Sequence, residues 1–178
     1  MTEIRTPRLL LRRWGDDDVV PLSEINADPA VMRWTGDGAP LDPDATAGEV
    51  ERWEEEWDDE GFGQFAVELL GSGELIGAVG LSVVADDLPG LPSDVEIRWR
   101  LGRQFWGQGY ASEAAQAALE FALQDRGVDR VVAVVRVGDH TSANIAEKLG
   151  MAAEREITHP EQGHALQVYA IDLTEYAA

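Results

Sequence analysis

Cysteine is missing from all 178 positions. That absence excludes disulfide staples, a thiol nucleophile and cysteine-ligated metal, and it fits a reducing cytoplasm. Histidine is scarce: His140, His159 and His164 lack the spacing of a ligand set, so no metal is expected. No apolar run approaches the ~20 residues that a membrane-crossing helix needs. The opening MTEIRTPRLLLRRW has too short a leucine run for a secretory signal and no small-residue cleavage site, so neither membrane association nor export is expected. Positive charge is also short, with 14 basic against 34 acidic side chains and a formal charge of -20. Nucleic-acid phosphates and anionic lipid are thereby disfavoured as main partners and a cationic partner is easier to accommodate, although solubility alone accounts for such a surface. A serine-hydrolase reading fails for want of a G-x-S-x-G elbow.

What remains has the make-up of an ordinary globular chain, 44% hydrophobic and 27% charged, and reads as one domain over 1–178. TPRLLLRRW reads as a first strand, followed by a polar, irregularly helical region that ends near DDEGFG. Within that region Val50, Trp53, Glu54 and Trp57 share one helical face, with the tryptophans as core contacts. The acidic run Glu54, Glu55, Glu56, Asp58, Asp59, Glu60 reads as a solvated face that also suits an amine. QFAVELLGSGELIGAVGLSVV predicts a hairpin about Gly71 to Glu74, and DDLPGLPS a loop.

VEIRWRL alternates strictly, with Val95, Ile97, Trp99 and Leu101 on one face and Glu96, Arg98 and Arg100 on the other. An alanine-rich helical pattern begins at Ala111 and stops at Gly127. DRVVAVVRV then reads as a strand buried on both faces, TSANIAEKL as a short helix ending at Gly150, and the remainder as a closing hairpin that turns near Pro160 to Gly163. The mixed order of elements predicts one α/β sheet with helices on its faces. Exposed tryptophans such as Trp34 leave a homodimer open.

Between the alternating strand and the alanine-rich helix stands RQFWGQGY. Two closely spaced glycines before a helix present unpaired backbone N–H groups and the positive helix end, which is an anion site. A P-loop is excluded because no lysine follows Gly109. A dinucleotide fingerprint normally lies in a first βαβ unit, whereas these glycines come late, after a hairpin. A coenzyme A pyrophosphate loop is the third reading.

TPRLLLRRW, VEIRWRLGRQFWGQGYASEA and TSANIAEKLGM together resemble the Gcn5-related N-acetyltransferase (GNAT) superfamily, in its RimJ/RimL-like branch of ribosomal-protein alanine acetyltransferases. The family's [QR]-x-x-G-x-[GA] motif is laid down as Trp106-Gly107-Gln108-Gly109-Tyr110-Ala111, with Trp at the first position; a literal frame begins at Gln104. The resemblance implies a mixed, largely antiparallel sheet of about seven strands flanked by about four helices. It also implies acetyl-CoA as co-substrate, held at Leu101, Trp106, Gly107, Gln108, Gly109, Tyr110, Ala111, Ser112 and Asp139, and direct attack by a primary amine on the thioester.

Glu96 is the candidate base, since an alkyl ammonium with a pKa of about 10 must lose a proton before it attacks; ion pairing with its arginine neighbours is the competing role. Ser142 is the candidate group at the leaving thiolate, or else a first-turn residue bonded to its own backbone. Asp139 stands where the family pattern carries asparagine and cannot donate as an amide does, so capping the helix is its other role. Tyr169 matches a recurrent tyrosine and suits either the site or the core. Local compensation of the coenzyme's charge is expected from Arg100, Arg103 or Arg136. The acceptor is the amine of a protein or peptide N-terminus, or a small cationic amine. Antibiotic or polyamine acetylation, another acyl donor such as succinyl-CoA, and a non-catalytic acyl-CoA-binding module remain the alternatives.

Overall fold

The computed structural model describes residues 2–85, 88–91 and 94–176. Asp86, Asp87, Pro92 and Ser93 of the expected DDLPGLPS loop lie outside the described residues. Eight strands form one sheet in the order β1-β2-β3-β4-β5-β6-β8-β7. They are β1 (Glu3–Arg5), β2 (Leu9–Arg12), β3 (Gln64–Leu69), β4 (Leu75–Val83), β5 (Val95–Leu101), β6 (Arg130–Arg136), β7 (Ala152–Thr158) and β8 (Ala165–Asp172). Every neighbouring pair is antiparallel except β5 with β6. Among the described residues six α-helices accompany them: α1 (Val19–Asn26), α2 (Pro29–Met32), α3 (Pro43–Glu60), α4 (Tyr110–Arg126), α5 (His140–Lys148) and α6 (Leu173–Tyr176). This is the expected mixed sheet, with the chain's ends adding short elements.

TPRLLLRRW is not one strand. Pro7 has no N–H to give to a ladder, and Thr6 closes a tight turn, donating its backbone N–H to Leu9 O at 2.9 Å while its Oγ1 accepts from Leu9 N at 3.0 Å. The preceding residues fold back as β1, with Ile4 opposite Leu11.

One face of the sheet is covered by α4 and α5. Small side chains let α4 lie close: Ala114, Ala115, Ala118 and Ala122 are fully buried against a cluster that includes Leu11, Phe65, Leu81 and Ile97. Gly127 ends α4 in the left-handed conformation at φ 65°, with its N–H on Ala122 O. The other face is covered over β2–β5 by α1 and α3, which bury Leu22, Val50 and Trp53 against Trp14, Ala66 and Ala78. Over β6 and β8 that face is sealed by Val84 and Leu91 on Val132 and Val168. β6 is thus buried on both sides, as its valines predict.

α3 begins at Asp42, whose carboxylate accepts from Ala45 N at 2.7 Å, with Pro43 as the first helical residue. Trp53 and Trp57 are core residues. The indole N–H groups of Trp14 and Trp57 both donate to the Gln64 carbonyl at 2.9 Å, which ties α3 and the segment after β2 to β3. Trp34 is half-buried rather than exposed, lying under the guanidinium groups of Arg33 and Arg136 at 4.6 and 5.6 Å. The exposed tryptophan is Trp106. Among the described residues no helix is long and apolar enough to cross a membrane.

The face of β5 bearing Glu96, Arg98 and Arg100 turns toward α1 and α3, so the Arg100 side chain is largely covered. Its guanidinium donates to Glu49 Oε1 at 2.7 Å and Oε2 at 3.2 Å, and to Asn26 Oδ1 at 3.1 Å. With 9% and 13% of their side chains exposed, Arg100 and Glu49 form a buried pair whose single-partner removal leaves an uncompensated charge. Glu49→Ala is expected to lower stability by about 3 kcal/mol in urea unfolding, and Glu49→Leu with Arg100→Met to recover most of that loss.

Candidate active site

β5 pairs with β4 through seven residues, from Gly77–Leu101 to Val83–Val95, and β6 pairs with β8 through another seven. Between β5 and β6 the ladder holds at only two positions, Val95–Val131 and Glu96–Val132. Beyond them the two strands diverge, opening a split toward the C-terminal end of β5. At that end the chain turns through Arg103–Phe105, and Trp106 Nε1 donates to Leu101 O at 2.9 Å.

Gly107 at φ 73° and Gly109 at φ 82° then enter α4, with Gly109 as an N-cap that has no capping side chain. The backbone N–H groups of Gly107, Gln108, Gly109, Tyr110, Ala111 and Ser112 donate to no acceptor among the described residues. A Cβ on Gly107 would meet nothing within 4 Å, so the loop faces open space. Six free amides at a positive helix end make a cradle for an anion.

The arginines expected beside this loop are elsewhere. Arg100 pairs with Glu49, Arg103 pairs with Asp28 at 2.8 Å, and Arg136 lies against Trp34 and the Arg33 carbonyl. The cation at the loop is Arg8, from the turn between β1 and β2. It donates from Nη1 to Gln108 O at 2.9 Å and from Nε to Glu113 Oε1 at 2.8 Å, and it lies 4.3 Å over the Tyr110 ring.

Glu96 stands at the root of the split, on its last paired rung, opposite Ser82 of β4. Its carboxylate makes no hydrogen bond or ion pair among the described residues; Arg98, two residues on, is exposed, and Arg100 pairs with Glu49. Burial pushes its carboxyl above the ordinary carboxylate range; the nearby charge of Arg98 opposes that rise and that of Glu56 adds to it. Two members of the acidic run leave the solvated face: Glu54, which pairs with Arg13 at 3.1 Å, and Glu56. Half-buried on α3, Glu56 accepts from Val83 N at 2.8 Å, and burial raises its carboxyl as well.

Ser142 lies in the first turn of α5, just past β6. Its N–H donates to Asp139 Oδ1 at 3.1 Å, so Asp139 caps the helix. Its Oγ accepts from Trp99 Nε1 at 3.1 Å, a hydrogen bond that links β5 to α5. Since an indole only donates, the Ser142 hydroxyl hydrogen stays available to another acceptor.

A family model described as an acetyltransferase (GNAT) domain matches residues 8–152. The chain belongs to the GNAT acetyltransferase family. Among curated relatives, the uncharacterized N-acetyltransferase p20 of Bacillus licheniformis is 26% identical over 99% of this chain and 99% of its own length. A GNAT-family acetyltransferase from Bacillus anthracis superposes with a TM-score of 0.80 at 25% identity, over 96% of this chain and 98% of that one. The spermidine N-acetyltransferase of Vibrio cholerae, solved with CoA and spermine, shares the fold with a TM-score of 0.77 at 17% identity, over 97% and 100% of the two chains.

Within this acetyltransferase, the residues from Trp106 to Ser112 form one loop and helix turn, and Glu96 and Ser142 flank the split beside it. Leu101 contributes its carbonyl to Trp106, while its side chain packs in the core. Tyr169 is a core residue on the α4 side of the sheet. Arg8 and Glu56 were not legible as site residues, since each reads locally as one charge among several. The positive φ angles at Gly107 and Gly109 leave backbone strain as the main penalty for a side chain, because the nearest atom to a Cβ on Gly109 is Arg8 Nη2 at 3.4 Å. Gly107→Ala and Gly109→Ala are each expected to lose about 1–2 kcal/mol in urea unfolding of the ligand-free protein.

Proposed function

We propose that this acetyltransferase is a cytoplasmic enzyme of the RimJ/RimL-like branch that uses acetyl-CoA to acetylate a cationic primary amine, either a protein or peptide N-terminus or a small amine. The carrying observation is the run of unpartnered amides from Gly107 to Ser112 beside a split sheet. Those amides suit a pyrophosphate, with Trp106 as an exposed shoulder, and the opening between β5 and β6 suits an extended chain. Bound there, acetyl-CoA supplies a thioester activated toward attack by an amine nitrogen.

Glu96 accepts a proton from the ammonium nitrogen onto its carboxylate, and its raised basicity brings it closer to the amine it must deprotonate. Glu56 adds a second negative charge on the same side of the sheet, which favours an acceptor that arrives as a cation. Ser142, fixed by Asp139 and Trp99, offers its hydroxyl hydrogen to a departing sulfur. A small polyamine is the second reading, favoured by the half-buried position of Glu56.

Thermal unfolding with and without acetyl-CoA tests the donor: at 100 times its dissociation constant the ligand should add about 2.7 kcal/mol, and no shift at saturation would overturn the coenzyme site. With an amine panel, Glu96→Gln is expected to keep the coenzyme shift while losing about 100-fold or more in kcat. A wild-type shift without product from any amine would leave a binding module instead.

The pH dependence has a definite sign. Glu96 works only when ionised, so kcat/KM should rise with pH through a limb above the ordinary carboxylate value of 4.5. Removing the neighbouring negative charge in Glu56→Gln should move that limb to lower pH and raise KM for cationic amines relative to neutral ones.

A further inference from the structure

Helix α4 carries an acid at the end where an anion would sit. Glu113 lies in its first turn. A carboxylate there favours the helix itself but opposes any phosphate bound at the amides of Gly107 to Ser112, in a chain whose formal charge is -20.

The structure covers this acid with groups from the far end of the sequence. Thr6 Oγ1 donates to Glu113 Oε2 at 2.6 Å, Arg8 N donates to Oε2 at 3.1 Å, and Arg8 Nε donates to Oε1 at 2.8 Å. Together these hold the Glu113 carboxyl below its ordinary range, against the opposing effect of burial. The same guanidinium reaches the loop through Nη1, which holds the Gln108 carbonyl at 2.9 Å. In a trans peptide unit the carbonyl and the following N–H point to opposite sides, so holding Gln108 O turns the Gly109 N–H away from Arg8. Nη2 has no acceptor among the described residues and leaves the charge of Arg8 less than fully spent on Glu113.

We propose that Arg8, acting from the β1–β2 turn, is a positioning residue of the coenzyme site: it neutralises Glu113 and fixes the Gln108–Gly109 peptide so that the loop amides meet a phosphate without a bare carboxylate behind them. This rests on the coenzyme reading given above. With 43% of its side chain exposed, Arg8 contributes little to stability through an ordinary surface pair, so its effect is concentrated on the anion. Removing it restores a full negative charge at the helix end, a penalty of about tenfold in coenzyme affinity.

Calorimetric titration of coenzyme A into the full chain tests this without recourse to turnover. Arg8→Gln is expected to weaken binding about tenfold at low salt, with the loss shrinking as salt is raised. Glu113→Gln alone is expected to bind at least as tightly as wild type, and the Arg8→Gln, Glu113→Gln double variant to recover most of the loss. Arg8→Lys keeps the charge but not the two-pronged hold on Glu113 and Gln108, and should fall between wild type and Arg8→Gln; it replaces Arg8→Gln if that variant does not melt as a folded protein. Wild-type affinity in Arg8→Gln, or a double variant as weak as the single one, overturns the role of Arg8 alone. Failure of the wild-type chain to bind coenzyme A overturns the coenzyme reading and this inference together.

Discussion

β5 and β6 share ladder hydrogen bonding only around Val95–Val131 and Glu96–Val132, while their outer partners β4 and β8 hold each of them along its whole length. A right-twisted sheet interrupted in this way has backbone groups facing into a gap, and a gap of that kind is stable only if something other than a strand accounts for its walls. Here the walls are braced from both sides. The Trp99–Ser142 hydrogen bond links β5 to α5 on the α4 side, and the packing of Trp34 against Arg136 joins the segment after α2 to β6 on the other. Glu96 owes its place to the last shared rung, and the glycine turn owes its place to the free end of β5. They therefore stand at the root and at the open end of one split, though their partners are spread over several segments of chain.

Charge is managed locally rather than globally. A protein with such an excess of acid would repel a phosphorylated donor, yet the amides around Gly107 and Gly109 supply positive potential without any net charge, and Arg8 cancels the one acid built into the same helix turn. Glu96 and Glu56 lie instead on the face of the sheet turned away from α4. The buried Arg100 serves neither end. Its charge is absorbed by Glu49 under α3, and the cation whose charge reaches Glu96 is Arg98.

The sequence disclosed what depends on local periodicity and backbone chemistry. Alternation in VEIRWRL assigned both faces of β5, the valine run marked β6 as doubly buried, and the glycines at 107, 109 and 127 marked the two ends of α4. It disclosed less where two distant segments decide a role. Arg8 and Glu113 are more than a hundred residues apart, and no local pattern joins them. Arg100 reads as an outward strand residue until α3 is placed above it. Glu56 cannot be told from Glu54 and Glu55 in a run of acids, because what separates them is whether Arg13, solvent or the Val83 amide stands opposite. The turn at Thr6 to Arg8 was hidden by an uninterrupted leucine run, although Pro7 had already ruled out a continuous ladder.

β7 closes one border of the sheet, and every residue in it except Ile157 is exposed. A bare border strand offers its unpaired amides and carbonyls to any other strand in solution, the first step of edge-to-edge polymerisation. This one carries Glu154, Arg155 and Glu156 in succession, has an irregular register between Ala153 and Arg155, and belongs to a chain with a formal charge of -20. The same excess of acid that opposes a bound phosphate thus acts at the free border of the sheet as well, where like charge disfavours pairing of the seven-residue β7 with the strand of a second copy.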